Sequence, residues 1–186
     1  VPIIFKKGKE EVLEFCRQMK KTLEKDNLRV HLDERDIRAG KKFYEWEMRG
    51  VPLRIEIGPR DIKNGKMVIV ARNTLKKEIL DYDPETFNSE IKNILEDITS
   101  NMSIKAWDTL KSNIKTVQTI DEAQEEISEN LGIISFHWCG DPSCGKELEE
   151  ILKVDILGVQ EISETGEKCI NCGEPAKHIT LLAKTY

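Results

Sequence analysis

GKKFYEWEMRGVPLRIEIGPRD, residues 40–61, changes its hydrophobic period halfway along. In the first part Phe43 and Trp46 stand three residues apart, the spacing of neighbours on one helix face. Gly40 precedes them, and a short helix is expected there. From Leu53 the period is two: Leu53, Ile55 and Ile57 alternate with Arg54 and Glu56. That alternation predicts a half-buried strand with an apolar face and two charges on the other. Gly58-Pro59-Arg60-Asp61 ends the strand with turn chemistry.

The flanks extend the same alternation. Val1 to Phe5 reads as the end of a buried strand that begins with no lead-in, so the chain is expected to have been cut from something longer. Lys9 to Lys25 carries Val12, Leu13, Phe15, Cys16, Met19 and Leu23 at helical spacing. Leu28 to Leu32 alternates strictly and predicts a strand. Asn64-Gly65 is a turn signal before a strand over Lys66–Ala71. A helix opens at Asp83-Pro84-Glu85 and runs to about Ser100, with Phe87, Ile91, Ile94, Leu95 and Ile98 inward. The class is α/β, a mixed sheet flanked by helices. A small α+β domain follows. It has a helix over Ile104–Ile114, an acidic helix over Asp121–Leu131, a strand over Ile133–Trp138 running into Cys139, and a last strand over Ile179–Ala183. The expected domains are 1–102 and 103–186.

Composition narrows the compartment and the partner. The 186 residues are 39% hydrophobic and 34% charged. No apolar run approaches the ~20 residues of a membrane span, and the opening lacks a signal-peptide cleavage site. A soluble, cytoplasmic chain without membrane contact is expected. Charge is unevenly spread. Arg35–Lys77 holds twelve basic and five acidic residues, a net +7, whereas Asp121–Glu174 nets −11. The basic stretch suits a phosphate-bearing partner, with Arg60 and Arg72 as phosphate contacts. The plainer reading is a solvated surface of mixed sign.

Cysteine spacing carries the other chemical signal. Cys139 and Cys144 form one close pair, Cys169 and Cys172 a second, and twenty-four residues separate them. Each pair can set two thiolates on one side of a hairpin-like turn, and two facing pairs complete a tetrahedral S₄ zinc site. Gly145 and Gly173 follow each pair, where their N–H groups are expected to donate to sulfur. Two disulfides or a redox dithiol at Cys169 and Cys172 are the alternatives, the first disfavoured inside a cell. Four thiolates close the coordination sphere, so such a zinc is architectural. Cys16, mid-helix, reads as an inert core thiol. His137 and His178 lie near the cluster but are not needed as ligands.

The 40–61 segment resembles the anticodon-binding domain of class II prolyl-tRNA synthetases of the archaeal and eukaryotic-like type. The family pattern, a Gly-x-Lys-Phe-x-x-Trp-Glu helix followed by Gly-Val-Pro-x-Arg-x-Glu-x-Gly-Pro-Arg/Lys-Asp, is matched throughout. The four-cysteine domain and the terminal tyrosine extend the resemblance over the whole chain. The resemblance implies that Glu47, Arg54, Asp61 and Lys76 read the two guanines of the proline anticodon in tRNA(Pro). A guanine edge offers N1–H and N2–H to a carboxylate, and O6 with N7 to a cation. Without the resemblance, Arg54 and Glu56 read as an ion pair and Asp61 as a turn cap. It also implies that Tyr186 docks toward a catalytic domain of the same chain, absent from this segment. That domain uses ATP and Mg²⁺ to form prolyl-adenylate, in a homodimer. A free-standing zinc-containing RNA-binding module is the alternative reading.

Overall fold

A computed structural model describes residues 1–4, 8–129, 132–161 and 166–185. The readings above that involve Phe5, Leu131 and Tyr186 therefore fall outside the described residues. The chain divides into two compact units, Val1–Ile104 and Lys105–Tyr186.

The first unit opens with helix α1, Lys9–Lys25, which buries Val12, Leu13, Cys16, Met19 and Leu23 on one face. Helix α2, Ala39–Met48, leads into strand β1, Leu53–Glu56. A single-turn helix α3, Pro59–Asn64, replaces the plain turn expected after the strand: Pro59 fits its first position, and Asp61 reaches back to the Gly58 N–H. Gly65 then ends it in the left-handed region, φ 62°. Strands β2, Lys66–Ala71, and β3, Lys77–Asp81, complete an antiparallel sheet in the order β1-β2-β3. Pro2 adds a parallel bridge to Ile57, which makes the pairing mixed.

The register sorts the sheet's two faces. Leu53 pairs with Ala71, Ile55 with Ile69 and Met67 with Leu80. This is the inner face, packed with α1 and with Phe87 and Ile91 of helix α4, Phe87–Ser112. Arg54 and Lys77 both register on Val70, and Glu56 registers on Val68, so these charges share the outer face.

Two expectations fail in this unit. Leu28–Leu32 forms no strand: Leu28, Val30 and Leu32 pack against the core, but their backbone meets no ladder partner among the described residues. A cavity of about 670 Å³ is lined by this segment together with Val1 and Leu53–Ile55. Nor does a helix end near Ser100. Asn101-Met-Ser103 holds no glycine or proline to stop it, and α4 continues to Ser112.

The second unit is a four-stranded mixed sheet. Strand β4, Ile114–Thr116, runs parallel to β5, Ile133–Trp138, with helix α5, Ile120–Glu129, between them. Helix α6, Pro142–Leu152, follows β5, and strands β6, Asp155–Glu161, and β7, His178–Ala183, complete the order β4-β5-β7-β6. The core gathers Val117, Ala123, Ile134, Phe136, Leu148, Leu152, Val154 and Leu182.

Candidate nucleic-acid interface and metal centre

On the outer face of the first unit, α2 delivers Phe43 and Glu47 to the strand charges. Arg54 sits over the Phe43 ring, its guanidinium carbon 4.2 Å from the centroid. Its Nη1 donates to Glu47 Oε1 at 2.5 Å and its Nε to Glu56 Oε1 at 3.1 Å. The other Glu56 oxygen accepts from Lys77 Nζ at 2.9 Å, and that amine also lies 5.6 Å from the Phe43 centroid. Glu56 is 2% exposed, whereas the Lys77 side chain is 61% exposed and Glu47 33%. The cluster is buried at its root and open at its tips.

The residues singled out from sequence are not all brought together. Glu47 and Arg54 are in direct contact, and Arg72 joins them by donating from Nε to the Glu47 carbonyl at 3.2 Å. Asp61 lies past the far end of β1, where its carboxylate caps α3; no contact links it to Glu47 or Arg54 among the described residues. Lys76 is exposed, and among the described residues only its backbone N–H is engaged, by the Thr74 hydroxyl. The lysine in the cluster is its neighbour Lys77. Lys77 is the first residue of β3 and registers on Val70, whereas Lys76 lies before the strand, just after Leu75 at φ +56°. Arg60 is exposed on α3 without an ion pair among the described residues. Around the cluster Leu75, Ile79, Tyr44 and Met48 are exposed apolar side chains, surfaces on which bases can stack.

Beneath α2 a second network fixes its placement. Asp33, 2% exposed, receives both Arg35 Nε and Nη2 and the Trp46 indole N–H at 2.8 Å. The Arg35 bonds, with help from Trp46, hold the Asp33 carboxyl far below its usual range against the effect of burial. Lys42 is 1% exposed and donates to the Asp33 carbonyl at 3.0 Å. Trp46 also packs against His31, centroids 4.2 Å apart with the rings tilted by 41°. This loop-to-helix anchor sets the rotation of α2 and hence the positions of Phe43 and Glu47.

In the second unit Cys139, Cys144, Cys169 and Cys172 bring their sulfurs within 4.8 Å of one another. Cys144 and Cys169 are 3.7 Å apart. A tetrahedron with zinc–sulfur bonds of ~2.3 Å has edges of about 3.8 Å, so the four can hold a metal ion with small adjustment. A grouping of four rather than two pairs also fits neither separate disulfides nor an isolated dithiol. The first pair is not a hairpin: Cys139 follows the end of β5 and Cys144 stands in the first turn of α6. Pro142 opens that helix, and Asp141 caps it by accepting from the N–H groups of Ser143 and Cys144.

The expected glycine donors do something else. Gly145 N–H goes to the Asp141 carbonyl and Gly173 N–H to the Cys169 carbonyl. The sulfurs are served by other groups. Burial works to raise the Cys169 thiol, but backbone N–H groups of Cys172, Asn171 and Cys139 bring it down to about 7. Burial pushes Cys144 up to about 12, although Asn171 Nδ2 donates to its sulfur at 3.4 Å. Asn171 also donates to Glu147 at 2.9 Å, tying the second cysteine pair to α6. Cys16 stands apart in the first unit, its thiol raised to about 11 by burial.

Comparison with known proteins adds relatives to this geometry. Residues 1–94 match the family described as anticodon binding domain, and residues 120–186 match that described as prolyl-tRNA synthetase, C-terminal. A proline–tRNA ligase of Methanothermobacter thermautotrophicus is 50% identical over 176 residues, 95% of this chain and 36% of its own length. That of Methanobrevibacter smithii is 43% identical over all of this chain and 39% of its own length. That of Thermococcus kodakarensis is 40% identical over all of this chain, again 39% of its own length. The chain thus spans little more than a third of these relatives.

Proposed function

This chain belongs to the anticodon-binding domain family, in the form that prolyl-tRNA synthetases carry ahead of their C-terminal module, and we propose from that premise that it selects tRNA(Pro) by its anticodon. The observation that carries the reading is the half-open cluster of Glu47, Arg54 and Lys77 on the outer face of the first sheet. It sets a carboxylate beside two cations, the complement of a guanine edge with its N1–H and N2–H donors and O6 and N7 acceptors. Asp61 and Lys76 flank this cluster as outlying contacts, and Arg60 and Arg72 meet phosphates. The second reading of the charges, a purely structural ion pair, accounts for Arg54 with Glu56 but not for the exposed tips of Glu47 and Lys77.

In the same proposal the four cysteines hold a structural Zn²⁺, which supplies a crosslink between the start of α6 and the connection into β7. The residues missing relative to the longer relatives carry the catalytic domain, which binds ATP and Mg²⁺, forms prolyl-adenylate and transfers proline to tRNA. The parent enzyme works as a homodimer in the cytoplasm. This segment contributes substrate choice.

The test is binding of a proline-anticodon stem-loop RNA to the chain and to Arg54→Ala. Loss of one base contact is worth ~1–3 kcal/mol, so the variant should bind the stem-loop about 5- to 150-fold more weakly. The loss should be smaller for a stem-loop with one anticodon guanine replaced by adenine. An equal loss on both RNAs would make Arg54 a phosphate contact only.

A further inference from the structure

We infer that Glu56, which no RNA atom needs to touch, is the positioning residue that aims Arg54 and Lys77 at the anticodon. The inference rests on the anticodon reading above and deepens it.

The two cations come from opposite edges of the sheet, Arg54 from β1 and Lys77 from β3, and both register on the same residue of the middle strand, Val70. Both also lie against one aromatic ring, Phe43. Two positive groups over one ring repel, and nothing in an apolar floor of Val68 and Val70 would hold them there. Glu56 supplies the opposing charge, and it divides its oxygens between them. Oε1 accepts from Arg54 and Oε2 from Lys77. The carboxylate is itself almost fully enclosed, 2% exposed, so its direction is fixed by packing rather than by solvent.

Each cation is held differently as a result. Arg54 has Glu47 and Glu56 on two sides and Phe43 beneath, and its side chain is 9% exposed. Its plane is set before RNA arrives. Lys77, at 61% exposure, has no ion-pair partner other than Glu56 among the described residues. A lysine is a flexible point charge on a long stem; released from Glu56 it would spread through solvent. Preorganised donors favour binding because the ordering is done in advance. Glu47, by contrast, is a third open and able to turn from Arg54 to a base.

The experiment measures the discrimination ratio of the chain: affinity for the proline-anticodon stem-loop over affinity for stem-loops with each guanine replaced in turn by adenine. Glu56→Gln keeps size and an acceptor but loses the charge, and should lower the ratio about tenfold at one guanine position, the scale of one base contact. Glu56→Asp, which keeps the charge, should recover part of it. Where Glu56→Gln does not fold, Glu56→Asp carries the test alone, with a partial loss expected at that position. Lys77→Met removes the outer partner and with it the donor to Glu56 Oε2. It should lower the ratio at the same position, and the double variant should be no worse than the poorer single one. An unchanged ratio, a uniform loss on all RNAs, or additive losses in the double variant would overturn the role of Glu56. A wild-type chain that does not discriminate the stem-loops at all would instead sink the anticodon reading beneath it.

Discussion

Removing the proposed zinc from the second unit should unfold that unit and leave the first intact. A structural zinc in a small cysteine site contributes about 10–16 kcal/mol at neutral pH. A unit the size of Lys105–Tyr186 has about 4–12 kcal/mol in all, at ~0.05–0.15 kcal/mol per residue. Removing the larger number from the smaller leaves no folded state, unless the eight-residue core and the β5–β7 ladder hold alone. The site's position argues that they do not. The four cysteines join the end of β5 and the start of α6 to the connection between β6 and β7, and Cys144 and Cys169 are themselves buried. Hydrogen exchange read by mass spectrometry resolves the outcome by segment. After chelation, peptides covering Ile133–Trp138 and His178–Ala183 should exchange at unfolded rates, while Leu53–Glu56 and Lys66–Ala71 stay protected; zinc should restore the pattern. Acidification should ease release, because Cys144 at about 12, and Cys139, also raised by burial, must lose protons to bind. Full protection of β5 and β7 in protein shown by elemental analysis to be metal-free would refute the reasoning.

Substitutions at Asp33 and at two glycines probe the frame of each unit. Asp33→Ala strands the Trp46 indole N–H and frees Arg35; because Arg35 can turn to water and to Glu45, the cost should sit at the low end of a broken buried pair, about 3 kcal/mol by denaturant titration. The Asp33 carboxyl is depressed in the folded chain, so its stabilisation is complete above the ordinary carboxylate range of ~3.9 and is lost as pH falls below it; Asp33→Asn should flatten that acid limb. Gly140→Ala combines φ +90° with a Cβ 2.7 Å from His178 Nε2, and should cost about 1–3 kcal/mol in the second unit's melt. Gly166→Ala, at φ +75° with nothing within 4 Å, should cost less, the difference being the clash with His178.

Where periodicity was strong, the chain could be read directly. The apolar stripe of α1 and the run of β5 have the bounds expected of them, because each meets one core with one face. Strands β3 and β6 gave no such signal: Lys77-Glu-Ile-Leu-Asp81 is an edge strand with mostly exposed side chains, and in β6 Leu157 and Val159 face outward. Helix α6 was hidden by Cys144 in its first turn, although Asp141-Pro142 is a recognisable cap. The gathering of four cysteines was legible in their spacing, but the identity of the N–H groups serving their sulfurs was not. At the candidate interface the pairing of Arg54 with Glu56 was legible in the strand's alternation. The choice of Lys77 over Lys76 was not, since it depends on the phase of a strand that sequence did not reveal.

The net +7 of Arg35–Lys77 overstates what RNA would meet. Lys42 is enclosed, Arg35 is committed to Asp33 and Glu45, and Arg54 and Lys77 to Glu56. Arg38, Lys41, Arg60, Lys63, Arg72 and Lys76 are exposed without ion pairs among the described residues. These two sets do different physical work. Exposed cations add affinity that any phosphate backbone can claim and that salt removes. Cations tied to buried carboxylates add less net charge, but their donors point in fixed directions, which is what a base edge requires. On the proposed reading, the acidic residues inside the basic stretch convert part of its charge from attraction into selection, and the salt dependence of binding should report only the exposed set.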